Sequence, residues 1–166
     1  MTEIEKISSN VSYDEHSGNL IWNVSKNSHG GRVIVGDIAG FDRLDGYVGV
    51  RICGKAYLAH RVAWLLKTGA WPTAEVDHIN GNRKDNTWSN LRQATSRQNK
   101  FNTCIRSDNK SGYKGVSWAK SANKWTARIK DGDKYKYLGV FSDINDAVAA
   151  YKYASQKIHG EFARRD

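Results

Sequence analysis

Residues 102–111 divide this chain, and that division sets what it can fold into. The stretch Thr103-Cys104-Ile105-Arg106-Ser107-Asp108-Asn109-Lys110 has no sustained apolar periodicity and mostly small or charged side chains, so it reads as a linker. A chain of 166 residues with 39% hydrophobic content and six Trp holds enough apolar surface for one moderate core or two small ones. The linker decides for two. The expected division is 1–103, a linker at 104–110 and a second domain at 111–166.

Before the linker, residues 11–56 are rich in Gly, Asn and Asp and carry short β-prone runs: Leu20-Ile21-Trp22, Val33-Ile34-Val35 and Tyr47-Val48-Gly49-Val50-Arg51-Ile52. These predict short strands in a small antiparallel sheet. In 58–67, Leu58, Val62, Leu65 and Leu66 fall at helical spacing, and Gly69 and Pro72 stop the helix. Residues 75–102 are dense in Asp, His, Asn and Arg, interrupted by Leu91-Arg92-Gln93-Ala94 and by a helix start at Thr95, where Thr95 and Gln98 fit a capping box.

After the linker, 113–119, 125–130 and 135–141 read as three strands, the last two joined at Asp131-Gly132-Asp133. A helix follows, capped by Ser142 or Asp143, with Ile144, Ala147, Val148, Tyr151 and Ile158 on its apolar stripe and Gly160 at its end. In the second strand Trp125, Ala127 and Ile129 alternate with Lys124, Thr126, Arg128 and Lys130, so the helix covers one face and leaves a basic face open.

The charge balance is 26 Lys and Arg against 17 Asp and Glu, which favours a polyanionic partner. Residues 83–136 alone hold fourteen Lys or Arg against four Asp, and on an alternating strand that density points to nucleic acid. The longest apolar runs fall far short of the roughly 20 residues of a membrane span, and the start of the chain lacks the basic and apolar regions of a secretory signal, so a cytoplasmic protein is expected. Cys53 and Cys104 form no CxxC pair and read as structural thiols. His159 has no partner that the sequence identifies.

Hydrolysing a phosphodiester takes a group that activates water, a cation that neutralises charge on the phosphate, and a device that holds both. Asp77-His78 with Asn90 and Asn99 can supply all three: an imidazole base, oxygen ligands for a hard cation such as Mg2+, and an amide to fix the ring. Asn80, Asn82, Asp85 and Asn86 have the composition of turns and are read as such.

Glu75-Val76-Asp77-His78-Ile79-Asn80-Gly81-Asn82, Asp85-Asn86-Thr87-Trp88-Ser89-Asn90-Leu91-Arg92 and Asn99 together resemble the HNH homing-endonuclease family of phage genomes, with the central Asn thirteen residues and the last position twenty-two residues after Asp77. The resemblance implies an α+β nuclease domain whose β-β-α-metal finger spans 75–102. In it Asp77 and Asn99 bind one divalent cation (Mg2+, Mn2+ or another), His78 is the general base and Asn90 orients its ring. Asn99 stands where some relatives carry His. His60-Arg61 also matches a pair that precedes the family motif, but on an amphipathic helix His60 is read as structural.

In the second domain, Ser111-Gly112-Tyr113-Lys114-Gly115-Val116, Lys124-Trp125-Thr126-Ala127-Arg128-Ile129 and Tyr137-Leu138-Gly139-Val140-Phe141 resemble the Apetala-two DNA-binding domain. That resemblance implies a three-stranded antiparallel sheet on one helix, reading duplex DNA in the major groove with Lys114, Arg128, Lys130 and Tyr137 as contacts, while Trp118 and Trp125 pack in the core. Arg92, Arg97 and Lys100 are further candidate DNA contacts. The expected protein is a phage-encoded endonuclease on double-stranded DNA, monomeric for a nick, with a dimer or sequential cuts needed for a double-strand break. The alternatives are a non-catalytic DNA-binding regulator working through the second domain, or an RNA-binding protein whose basic face reads shape.

Overall fold

The computed structural model describes residues 1–28, 31–103, 105 and 107–164. They form two compact units, Met1–Thr95 and Ser96–Asp166, in a mixed α+β architecture.

The first unit opens with α1 (Glu3–Asn10), a helix the polar N-terminus gave little reason to expect. Its start is a capping box: the Thr2 hydroxyl accepts from the Glu5 amide at 3.2 Å and the Glu5 carboxylate accepts from the Thr2 amide at 2.8 Å. It buries Ile7. Three small antiparallel groups follow. Strands β1 (Val11–Tyr13), β2 (Leu20–Trp22) and β5 (Ile38–Ala39) pair in that order, β3 (Lys26–Ser28) pairs with β4 (Gly31–Val33), and β6 (Phe41–Asp42), β7 (Val48–Ile52) and β8 (Lys55–Leu58) pair in sequence.

Two expectations are corrected here. Ile34 and Val35 are exposed and lie past the end of β4, where the Asp37 carboxylate takes the Ile34 amide at 2.8 Å. Cys53 is an exposed thiol in the tight β7–β8 turn, at φ 47° beside Gly54 at φ 81°, and not a buried structural one. Cys104 lies outside the described residues.

Helix α2 (Ala59–Thr68) ends at Gly69 and buries Ala59, Val62, Ala63 and Leu65 against Val11, Leu20, Val50 and Ile52. Each fully buried Val or Leu contributes roughly 1.5–3 kcal/mol, enough for this core to hold a polar segment that has little of its own. That segment is β9 (Glu75–His78), a loop with one 3-10 turn at Trp88–Asn90, and β10 (Leu91–Ala94), followed by α3 (Ser96–Phe101): strand, strand, helix in chain order. Val76 and Leu91 anchor the two strands to the core.

The second unit contains α3 and then β11 (Val116–Ala119), β12 (Lys124–Asp131), β13 (Lys134–Phe141) and α4 (Ile144–His159). The antiparallel sheet β11-β12-β13 packs one face on α4, burying Val116, Ala127 and Ala147 among Trp125, Leu138, Phe141, Ile144, Val148 and Tyr151. The cap of α4 is Asp143, whose carboxylate accepts from the Asn145 amide at 2.6 Å. His159 at the other end bonds through Nε2 to the Lys130 carbonyl at 2.9 Å and stacks on Phe101 at 3.8 Å, so this histidine pins both α3 and α4 to the sheet. Among the described residues no helix is long and apolar enough to cross a membrane.

Candidate active site

Strands β9 and β10 run antiparallel with His78 opposite Leu91 and Asp77 opposite Arg92. Neighbours on a strand point to opposite faces, so Asp77 and His78 meet different surroundings, and both are buried. Across the ladder, Arg92 places Nε at 3.0 Å and Nη2 at 2.8 Å from Asp77 Oδ2. This is a largely buried ion pair, with both side chains almost withdrawn from solvent.

His78 faces the loop. Its Nε2 lies 2.9 Å from Asn86 Oδ1, and an amide oxygen can only accept, so the ring proton sits on Nε2 and the basic lone pair on Nδ1. Burial, opposed by this hydrogen bond and by the charge of Asp77, holds the imidazole below its ordinary pKa. A neutral, tautomer-fixed imidazole is what a general base requires.

Asn86 is the residue that the turn-rich composition concealed. It is buried, and two N-terminal residues hold the loop around it: the Tyr13 hydroxyl donates to the Asn86 carbonyl at 2.7 Å, and Glu15 O accepts from Trp88 N at 3.0 Å. Gly18, at φ 76°, approaches so closely that a Cβ there would lie 2.5 Å from Asn86 C and Thr87 N. Only glycine permits that contact. Nothing local separates Asn86 from Asn80 or Asn82 in the sequence; its burial comes from residues some seventy positions earlier.

Asn90 uses its side chain to close the same loop. Its Oδ1 accepts from the Asn80 amide at 2.9 Å and its Nδ2 donates to the Asp85 carbonyl at 2.7 Å. Burial alone would raise the Asp85 pKa, but hydrogen bonds from the Thr87 hydroxyl and amide and from Asn80 outweigh it and lower the carboxyl below its usual range. The loop is therefore a closed hydrogen-bonded frame around His78.

Two further rings complete the surroundings of His78. His60, from the first turn of α2, is 4% exposed and sits edge-on to His78 with ring centroids 5.0 Å apart; Tyr47, just before β7, lies 5.2 Å from His60 and 5.9 Å from His78. Arg83 stacks on Tyr47 at 4.8 Å and donates to the Asp45 carbonyl at 2.7 Å, while Lys84 pairs with Asp42 at 2.6 Å, so the loop is clipped to the β6–β7 hairpin.

The remaining predicted residues lie in the second unit. Asn99 is half-buried on α3, with the exposed Arg97 and Lys100 beside it. Arg97 reaches Asp131 at 3.7 Å. Arg128 and Lys130 project from the open side of β12, where Arg128 lies over Tyr135 at 5.1 Å and opposite Tyr137, which is 63% exposed. A register shift between Ala127 and Arg128 sets that pairing. Lys114 differs from these. Its ammonium donates to the Phe101 and Thr103 carbonyls at 2.8 and 2.9 Å, closing the C-terminal end of α3. Trp125 packs in the core as expected, whereas Trp118 is 44% exposed, edge-on to Trp125 at 5.0 Å. Among the described residues no group of three or more His, Cys, Asp or Glu side chains is gathered to hold a metal.

Residues 57–101 match the HNH endonuclease family, a segment that runs from β8 to the end of α3. The chain is also 31% identical over 112 residues to Protein 3.8 of Escherichia phage T7, covering 66% of this chain and 91% of that protein. The chain belongs to the HNH endonuclease family. A second relative, an uncharacterized HNH endonuclease of Acanthamoeba polyphaga mimivirus, is 33% identical over 111 residues, 66% of this chain and 57% of that protein. No solved structure matches. The family segment contains Asp77, His78, Asn86, Asn90, Arg92 and Asn99, while Tyr13, Gly18 and Tyr47, which shape the HNH loop from outside, precede it.

Proposed function

We propose that this protein is a metal-dependent endonuclease that hydrolyses phosphodiester bonds of double-stranded DNA, with His78 as the general base. The observation that carries the reading is the His78 ring itself: neutral, buried, and fixed by Asn86 so that Nδ1 is the basic nitrogen. In the proposed mechanism Nδ1 takes a proton from a water molecule that attacks phosphorus, and the Nε2–H···Asn86 bond strengthens as the ring becomes cationic. The bond from phosphorus to the 3′ oxygen breaks and that oxygen takes a proton from solvent water, giving 5′-phosphate and 3′-hydroxyl ends. Asn90 orients the ring at one remove, by closing the loop that carries Asn86.

Asp77 and Asn99 would hold the cation. The donor set fits a hard ion: a carboxylate and an amide oxygen, with no thiolate, suits Mg2+ or Mn2+. The Arg92 fork engages Oδ2 of Asp77. When bound, such an ion supplies Lewis-acid neutralisation of charge on the phosphate and the leaving oxygen.

We assign DNA contacts to the second unit, whose residues 111–166 are read as an Apetala-two-like sheet-and-helix domain, with the nuclease domain over 1–103 and the linker at 104–110. Arg128, Lys130 and Tyr137 on the open face, with Arg97 and Lys100 on α3, carry the interaction. Lys114 and Arg92 support from within, since both have their donors engaged by the protein. The kinship with a phage protein supports action in the cytoplasm of an infected cell, and one site per chain favours nicking by a monomer.

Purified protein with Mg2+ should nick supercoiled plasmid. His78→Ala should lower the rate by about 10²–10⁴-fold and leave duplex binding in a gel shift within twofold. Retained nicking by this variant, or loss of binding in step with activity, would remove the base from His78.

A further inference from the structure

His60 comes from a helix face that is otherwise apolar, between Ala59 and the buried pair Val62 and Ala63. An aliphatic side chain would fill that position without burying a polar atom. Instead the Nδ1 of His60 is buried and has no protein hydrogen-bond partner among the described residues. An orphaned buried nitrogen is a net cost to the fold, and the His60 ring packs against the ring that the nuclease reading makes the base.

We propose that His60 is a positioning residue for His78, wedged together with Tyr47 against the catalytic ring so that Asn86 can fix its tautomer and orientation. Three rings at 5.0, 5.2 and 5.9 Å form a closed triangle, so His60 and Tyr47 both flank the His78 ring that Asn86 holds. Tyr47 is itself held from outside by the Arg83 stack.

The chemistry of the wedge matters as well as its shape. When His78 takes a proton it becomes a cation in a buried place. A neutral neighbour adds no charge repulsion to that cation. A charged neighbour would do the reverse. Burial, and then the proximity of His78, push the His60 pKa down to about 3, so His60 stays neutral near neutral pH.

This inference rests on the nuclease reading for its consequence on rate, but the positioning itself has an independent readout. Long-range ¹H–¹⁵N spectra of the full chain at pH 8 report which nitrogen of each imidazole carries the proton. The variants are His60→Ala, His60→Phe and Tyr47→Leu. In the wild type His78 shows the Nε2–H tautomer. His60→Ala and Tyr47→Leu should give a mixed tautomer at His78 and slow single-turnover nicking at saturating protein by about 10- to 100-fold, with duplex binding within twofold. His60→Phe keeps a neutral ring in the wedge and should retain the Nε2–H tautomer with a rate within about tenfold of wild type. A single, unchanged tautomer and a rate within twofold in folded His60→Ala and Tyr47→Leu overturn the proposal. Absence of nicking by the wild type would refute the nuclease reading alone; a mixed tautomer in the variants would then still support positioning, and an unchanged one would still overturn it.

Discussion

His78 and Arg128 both have an aromatic ring within 6 Å, yet their situations are opposite. His78 is 3% exposed, bonded to a buried amide and pressed by two rings. Arg128 projects from an open strand beside Tyr135 and Tyr137, each about two-thirds exposed. The first unit holds one ring in a buried, hydrogen-bonded place, while the second leaves charge and aromatic surface exposed. Chemistry demands a group held within a fraction of an ångström before substrate arrives, whereas binding through phosphates demands mobile charge near a surface. The two cores follow suit. Thirteen buried apolar residues support the first unit's site, against a cluster of three buried residues, ringed by half-buried ones, under the second unit's sheet.

The sharpest way to break this contrast is to loosen the buried site from a distance. Gly18→Val adds branched atoms where a single Cβ would already meet the Asn86 and Thr87 backbone at 2.5 Å, at a φ that β-branched residues avoid. It should destabilise the fold by on the order of 4 kcal/mol, read by denaturant unfolding, and abolish nicking by whatever folded fraction remains. A variant with normal stability and full nicking would mean that the N-terminal sheets do not buttress Asn86.

Gly18 also marks where sequence reading stops. The long elements were legible because their apolar spacing is local: α2, the three strands of the second unit and α4 fall within a few residues of expectation. Asp77, His78 and Asn90 were legible as an ordered motif. What was not legible depends on contacts distant in the chain. Asn86 is one polar residue in a loop full of turn formers, and only the arrival of Tyr13 and Gly18 distinguishes it. His60 on an amphipathic stripe reads as packing until its ring is found against His78. Lys114 reads as one more cation in a basic stretch, and only the fold turns it onto the end of α3.

A middle-sized effect tests the neutrality of the buried site. His60 has a pKa of about 3 in the folded protein against an ordinary value of 6.5, so between those values the unfolded chain binds a proton that the folded one refuses. Stability therefore rises with pH across this window: the contribution is complete above about pH 6.5 and is lost as pH falls toward 3. His78 and His159, both lowered chiefly by burial, act in the same direction. The denaturation midpoint should drop on acidification from pH 7 to 4, by the equivalent of roughly 3 kcal/mol, and His60→Phe should flatten the slope. A slope identical in the variant would show that the ring is not held neutral by its burial.

The smallest effects come from lysines and arginines that look alike in sequence and differ in the fold. Lys114 donates to the Phe101 and Thr103 carbonyls, so Lys114→Met removes charge-assisted hydrogen bonds and should cost about 1–2 kcal/mol of stability. Because that ammonium is already engaged by protein oxygens, the dependence of duplex affinity on salt should not change. Arg128→Ala should behave in the opposite way: stability within about 0.5 kcal/mol, as for an exposed position, and a slope of log affinity against log salt shallower by about 0.9, the value for one phosphate contact. Titrating both variants over the same range of salt decides between them. If Lys114→Met flattens the salt dependence while Arg128→Ala leaves it intact, the assignment of the open β12–β13 face to DNA is wrong and the phosphate contacts must be sought near the end of α3.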